Sequence, residues 1–163
     1  MPNWREITKD NKQHYTNKNH HGKAIVTGEL SGITVFDFDI APSYYEMVEK
    51  FPDLKKVKTI KTNKGFHLYF EHDSTILTTV DAFNDYVGID IRNGKSIVFA
   101  PPSRYKLSDG TNFQYQDLGG DILAVPEEIK SKLKQLKKKQ KLEKIEMDVE
   151  KVENLKSRVM IEL

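Results

Sequence analysis

Five side chains of this 163-residue chain are placed to do chemistry together: Asp37, Asp39, His67, Asp90 and Arg92. They lie in three short runs, Val35-Phe36-Asp37-Phe38-Asp39, Gly65-Phe66-His67-Leu68-Tyr69-Phe70 and Gly88-Ile89-Asp90-Ile91-Arg92, in which polar and apolar residues alternate. Side chains on a strand alternate faces. Phe36, Phe38, Phe66, Leu68, Phe70, Ile89 and Ile91 are therefore expected to share one core, and the five polar groups to share the opposite face. Three carboxylates suit a divalent ion, which takes hard oxygen ligands, and a guanidinium donates bidentately to phosphate. This is the inventory of a site for metal and polyphosphate.

Each group taken alone has a plainer reading. Asp is depleted in strand interiors, so Asp37 and Asp39 either converge on Mg²⁺ or Mn²⁺ or mark a strand end that caps the helix after Pro42. Asp90 and Arg92 either serve the same site or form a surface ion pair. His67 is either a structural or solvated histidine or a donor to a phosphate oxygen. The preceding turn, Lys61-Thr62-Asn63-Lys64-Gly65, offers two amines, a hydroxyl and glycine-exposed backbone N–H groups. It is expected to cradle phosphates through Lys61, Thr62, Lys64 and Gly65, although it lacks Walker-loop spacing. His20-His21 reads as a solvated loop pair, because no carboxylate stands near it. Ser103, after Pro101-Pro102, lacks a nucleophile elbow and reads as part of a rigid turn.

The elements that must position these groups follow from local pattern. Ala24–Val26 and Ile33–Asp39 read as strands around a two-glycine turn, Thr27–Gly32. Pro42 opens a helix with Tyr45, Val48 and Phe51 at helical spacing, and Pro52 ends it. Val57–Lys61 and Phe66–Glu71 read as a hairpin. Gly88–Arg92 and Ser96–Ala100 read as a second hairpin about Asn93-Gly94, and Tyr105–Leu107 with Phe113–Tyr115 as a third about Asp109-Gly110. Residues 73–86 are expected to be loop with a short helical piece. Pro126-Glu127-Glu128 opens a C-terminal helix, with acids in the first turn where the helix dipole favours them and Ile129, Leu133, Leu136 and Leu142 as an apolar stripe.

Composition bounds the rest. The length suits one domain with a core. There is no run of about 20 apolar residues to span a bilayer and no apolar signal core, so the chain is expected to be intracellular, without a membrane partner. Cysteine is absent, which excludes disulfides and cysteine-ligated zinc. The net charge of +2 divides unevenly: residues 130–163 hold eleven bases and six acids, and residues 1–129 fifteen bases and eighteen acids. Bulk attraction to nucleic acid therefore belongs to the tail. Eight lysines fall between Lys130 and Lys144. Lys134, Lys137, Lys138 and Lys141 are its candidate nucleic-acid contacts; the alternatives are a solvated helical face or a linker. The expected organisation is a polar arm at 1–22, a catalytic domain at 23–129 and a lysine-rich helical tail at 130–163 leading to a further module.

The order Asp-x-Asp, Gly-x-His within a strand, and Asp followed by Arg two residues on resembles the archaeo-eukaryotic primase superfamily, in its primase-polymerase branch. Thr27-Gly28 with Ser31-Gly32 before the first motif, Thr62-Asn63-Lys64-Gly65 before the second, and Val98-Phe99-Ala100-Pro101-Pro102-Ser103 after the third extend the resemblance over about residues 22–125. Lys64-Gly65 replaces the usual Ser or Gly-Gly before the histidine. The superfamily's cysteine zinc module is missing, so polymerisation is implied more directly than unaided primer synthesis.

The resemblance implies an α/β (α+β) fold: a mixed or antiparallel sheet with an RNA-recognition-motif-like core, a small N-terminal α/β lobe and a C-terminal helix. It implies nucleotidyl transfer with two Mg²⁺ or Mn²⁺ ions on Asp37, Asp39 and Asp90, and a triphosphate held by His67, Arg92 and the Lys61–Gly65 turn. Its partners are a single-stranded DNA template, NTPs or dNTPs and a fused or associated superfamily 3 helicase; if the chain is viral, it acts at the replication site in cytoplasm or nucleus. A non-catalytic origin-binding module and a haloacid-dehalogenase-type phosphatase are the alternatives.

Overall fold

The computed structural model describes residues 3–11, 22–133 and 145–148. His20-His21, the lysines Lys134, Lys137, Lys138 and Lys141, and Leu136 and Leu142 lie outside the described residues. The chain divides into two compact units, Met1–Pro126 and Glu127–Leu163. In the second, residues 127–133 and 145–148 are helical, Ile129 and Leu133 are buried, and Lys130 pairs with Glu127. Among the described residues no helix is long and apolar enough to cross a membrane.

The first unit is built from β1 (Lys23–Val26), β2 (Ile33–Phe38), α1 (Ala41–Lys50), β3 (Lys58–Lys61), β4 (Phe66–Glu71), β5 (Ile89–Arg92), β6 (Ile97–Ala100), β7 (Arg104–Lys106), β8 (Asn112–Gln114) and β9 (Gln116–Asp117). Five strands form one sheet in the order β5-β2-β4-β3-β9, antiparallel at every pairing. Reading β2, β3, β4 and β5 as first to fourth, the order is 4-1-3-2 with α1 as the first crossover, the split β-α-β arrangement expected of an RNA-recognition-motif-like core. The fold is α+β. Before β2, the described residues supply a 3-10 turn at Trp4–Glu6 and β1, which pairs with β6.

The alternation predicted for β2, β4 and β5 sets the register. Phe36, Phe38, Phe66, Leu68, Phe70, Ile89 and Ile91 are all buried, with Met47 of α1 and Leu54 among them in the core. Phe36 and Phe70 pack at 4.8 Å between ring centroids, and Tyr44 of α1 stacks on Phe66 at 4.0 Å. Each such burial contributes roughly 1.5–3 kcal/mol. A one-residue slip would turn Asp37, His67 and Asp90 into this core, so the register is strongly specified. The opposite face is not simply solvent: Val35, Ile60, Tyr69 and Val98 form a second cluster, with Ile25, Ile33 and Tyr115 against it.

Three local expectations are corrected. Tyr45 is not on the buried face of α1, which consists of Ser43, Met47 and Val48. It is 61% exposed, with its ring edge-on to Tyr44 and Phe66. Residues 73–86 contain turns and bends but no helical piece. The stretch instead runs along the outer edge of β5, where Thr79 exchanges both backbone hydrogen bonds with Ile91 and Ala82 N–H donates to Ile89 O.

That occupied edge explains the third correction: β5 and β6 do not form a hairpin. The other edge of β5 is taken by β2, so β6 has nowhere to pair on it and joins β1 instead. Asn93 also has a different task from a tight turn. Its side chain donates to Asp73 O at 2.8 Å and Ile76 O at 2.7 Å, and its Oδ1 meets His72 Nδ1 at 2.8 Å. The chain then leaves through Gly94, whose backbone lies so near Gly28 that a Cβ on Gly28 would come within 2.5 Å of it. The hairpins β3–β4 and β7–β8 form as expected.

Candidate functional site

The site is a row across the sheet. Asp37 near the end of β2 stands directly opposite His67 on β4 and directly opposite Asp90 on β5. Antiparallel pairing puts directly opposed side chains on the same face, with Cβ atoms about 5 Å apart. The next row holds Arg92, Val35 and Tyr69 in the same register. Asp39 lies one residue beyond β2, yet its N–H donates to Gly88 O at 2.8 Å, which keeps the chain in line with β5. Asp39 is exposed, Asp37 half-buried, and His67 and Asp90 are both buried.

The polar groups neutralise one another. Arg92 Nη2 donates to Asp90 Oδ2 at 2.6 Å, and Arg92 Nε lies 3.6 Å from Asp37 Oδ2. His67 Nε2 is 3.2 Å from the other Asp37 oxygen. Burial pushes the Asp37 carboxyl up, but the hydrogen bond and charge of His67 and the Arg92 guanidinium outweigh it and hold the group below the ordinary carboxylate range. Asp39 goes the other way: partial burial and the charges of Asp37 and Asp90 raise it, against Arg92 and Lys64. The three carboxylates therefore feel one another. Among the described residues, however, no group of three or more His, Asp or Glu side chains is gathered into a ligand set for a metal ion.

The turn before His67 is held by hydrogen bonds of its own. Thr62 Oγ1 accepts the Gly65 N–H at 3.0 Å, and Thr62 N–H donates to Gly65 O at 3.1 Å, so the turn closes on itself. The Lys61 amine donates to Gly65 O at 3.2 Å and lies 4.1 Å over the Phe66 ring. A Cβ on Gly65 would fall 1.9 Å from Phe38 O. Gly65 is thus required for close approach to the end of β2, and its N–H is not open to a ligand. Lys64 is the exposed cation of the turn whose charge reaches Asp39.

Ser103 is buried and structural. Its Oγ accepts the Lys23 N–H at 2.7 Å and donates to Lys23 O at 2.8 Å, pinning the start of β1.

Several contributors carried no usable sequence signal. The backbone N–H of Asp81 donates to Asp90 Oδ1 at 2.9 Å from a left-handed conformation, φ +46°. Tyr69 lies beside His67, and among the described residues its buried hydroxyl has no hydrogen-bond partner; the same is true of His67 Nδ1. Burial, then Tyr115 and the charges of Asp117 and Asp37, push the Tyr69 phenol strongly up, so it stays protonated. Only the alternation of His67 and Tyr69 on one strand face hinted at this pairing.

No curated protein matches the chain. The sequence model of the family described as bifunctional DNA primase/polymerase, N-terminal, matches residues 2–143, which takes in every strand of the described residues and the whole Asp90–Asp37–His67 row. The chain belongs to the Prim-Pol family.

Proposed function

We propose that the Asp90–Asp37–His67 row is the centre of a template-directed nucleotidyl transfer from NTPs or dNTPs, as in the initiation of DNA replication. The observation that carries the reading is the register: two carboxylates and a histidine from three adjacent strands directly opposed, with Asp39 next in line. Asp37, Asp39 and Asp90 are the residues to hold Mg²⁺ or Mn²⁺. The donor set fits a hard dication, being all carboxylate, and the rise of Asp39 against the charges of Asp37 and Asp90 reflects a repulsion that such an ion relieves. Two such ions, held by these carboxylates, would supply activation of an attacking 3′-hydroxyl and charge neutralisation for the departing pyrophosphate.

The chain's own groups bind and orient. Arg92 already presents its fork on the sheet face, and a triphosphate oxygen can replace one carboxylate in its grasp. His67 keeps Asp37 anionic and brings a second donor within reach of the same phosphates. Lys64 adds a cation at the rim. The reading extends to a single-stranded DNA template, with the lysine-rich stretch after residue 130 as a further contact, and to a superfamily 3 helicase as the partner the resemblance implies.

Primer extension and primer-free dinucleotide synthesis on single-stranded DNA, with Mg²⁺ and with Mn²⁺, test the proposal. Dication-dependent transfer that disappears in Asp37→Ala is expected. Mn²⁺ should also raise the melting temperature of the wild type and not of Asp39→Asn, because a ligand that binds only the folded state stabilises it. DNA binding without transfer under either ion would assign the chain to a non-catalytic module instead.

A further inference from the structure

An aromatic path leads out of the site from His67. Tyr115, just past β8, is its hub, with ring centroids 6.1 Å from His67, 6.3 Å from Phe99, 6.1 Å from Tyr105 and 5.7 Å from Phe113. Tyr105 and Phe113 stand directly opposite each other on β7 and β8, 5.8 Å apart. These rings are not sealed in a core. Phe99 is 49% and Tyr105 42% exposed, and Phe113 and Tyr115 are half-buried.

The β7–β8 hairpin is a two-stranded sheet by itself. Such a ribbon is marginal in water; the Tyr105–Phe113 pair helps to hold it, and the ring surface left exposed is open to a ligand. The hairpin also carries a groove of about 420 Å³ lined by Arg104, Tyr105, Lys106, Asn112, Phe113 and Gln114. From residue 104 to 115 the only charged residues are Arg104, Lys106 and Asp109. Asp109 is occupied in the turn, accepting from Thr111 N–H and Oγ1, whereas Arg104 and Lys106 are exposed. Burial, Tyr105 and the charge of Asp37 together raise the Tyr115 phenol, so the inner end of the path is electrostatically in touch with the row.

We propose that Phe99, Tyr105, Phe113 and Tyr115 form a stacking platform for single-stranded nucleic acid that leads the template strand to the Asp37–His67 row, with Arg104 and Lys106, which alternate with Tyr105 on β7, as cations at the ribbon's other face. Stacking on aromatic rings is sequence-tolerant because every base has a π-face, and nearby cations follow the backbone. What is continuous on this surface is the run of rings, from Tyr105 and Phe113 through Tyr115 to His67, and a strand with a π-face at every step fits it better than a protein segment does. The proposal rests on the reading above for the strand's role as template, but not for the binding itself.

The test compares a fluorescently labelled oligothymidylate with an abasic oligonucleotide of the same length, by anisotropy on the full 163-residue chain without nucleotide. Phosphate contacts are common to both probes and cancel. The wild type should bind the base-bearing strand about tenfold more tightly, the scale of stacking one or two bases. In the double variant Tyr105→Leu/Phe113→Leu that preference should fall to about twofold or less, with abasic binding unchanged. Leucine keeps apolar area at these surface positions, and a melting curve confirms folding; Phe99→Leu, on a different element, serves if the hairpin variant does not fold. No base preference in the wild type, or a preference that survives in the folded variants, overturns the proposal. So does a wild-type self-association that the double variant abolishes without any change in oligonucleotide binding, which would make the patch a contact between copies. Absence of nucleotide transfer would defeat the catalytic reading and leave this comparison readable.

Discussion

His67 faces Asp37 across the β2–β4 ladder, with Nε2 at 3.2 Å from Oδ1, while Arg92 approaches the second oxygen of the same carboxylate from β5. Asp37 is therefore held from both sides of its strand by groups whose positions the register fixes. Two residues on, Asp39 has neither partner within bonding distance and is pushed up by the very charges that surround it. One strand end thus carries two carboxylates of opposite disposition, one whose charge its neighbours favour and one whose charge they oppose.

The first prediction follows from that contact. A carboxyl whose folded pKa is depressed stabilises the fold above its unfolded pKa, and the contribution is lost as pH falls through the folded value. For Asp37 it is present at neutral pH and absent in strong acid. His67→Ala removes the largest lowering influence, so the variant should lose about 1–2 kcal/mol more at pH 7 than near pH 2, the scale of a charge-assisted hydrogen bond. The packing loss is common to both conditions. Equal deficits in denaturant melts at the two pH values would show that the contact contributes nothing.

The three carboxylates should separate in stability while agreeing in activity. Asp39 has a raised pKa, so its stabilising contribution exists only in acid and is lost as pH rises through the folded value. Asp39→Asn should therefore melt at or slightly above the wild-type temperature at pH 7. Asp90→Ala takes the acceptor from Arg92 Nη2 and from the Asp81 N–H at a half-buried place, leaving Arg92 only Asp37, and should cost about 1–3 kcal/mol. All three sites, including Asp37→Ala, should lose nucleotide transfer. A folded variant of any of them with near wild-type transfer would end the shared-ligand assignment.

What could be read from the sequence was whatever alternation controls. Phe36 and Phe38 against Asp37, or Leu68 against His67, leave no choice of face once one side must be dry. Alternation does not say which strands are neighbours. That Asp90 falls beside Asp37 depends on β5 taking the outer edge of β2, a contact set by the whole sheet.

The misread hairpin has the same origin. Asn93-Gly94 is a strong local turn signal, but Thr79 and Ala82 already held the edge that β6 would need. The Lys61–Gly65 turn shows a different limit: residue types advertise donors, and only geometry shows that Thr62 and Gly65 bond each other. Tyr115 gave no signal at all, since a tyrosine beside a hairpin reads as ordinary packing.

Arg92→Lys is the third test. The guanidinium reaches Asp90 and Asp37 at once because its nitrogens diverge in a plane. A lysine amine is a point charge that holds one oxygen at a time and cannot grip a phosphate bidentately. The variant should keep its fold and its dication response, with kcat/KM for the nucleotide down by about ten- to a hundredfold, equivalent to one charge-assisted contact. Most of the loss should appear in the nucleotide's KM. An unchanged nucleotide KM in steady-state kinetics would remove Arg92 from the triphosphate.

The last prediction separates the two roles available to Gly65. If its N–H served a phosphate, Gly65→Ala would weaken nucleotide binding and leave the fold alone, since a Cβ does not block an N–H. Here the N–H is capped by Thr62, and the added carbon would meet Phe38 O at 1.9 Å, far inside contact distance. The clash is with backbone on both sides, so no side chain can turn away to relieve it. The β4 start must move off the β2 end, which carries Asp39 on the next residue. Gly65→Ala should therefore destabilise the fold by about 1–3 kcal/mol, the usual cost of overpacking, and lower transfer without a selective effect on the nucleotide's KM. Thr62→Val, which removes the cap and keeps the volume, should cost about 1–2 kcal/mol by leaving the Gly65 N–H unmet. A Gly65→Ala protein that melts with the wild type but binds nucleotide poorly would restore the turn as a phosphate cradle.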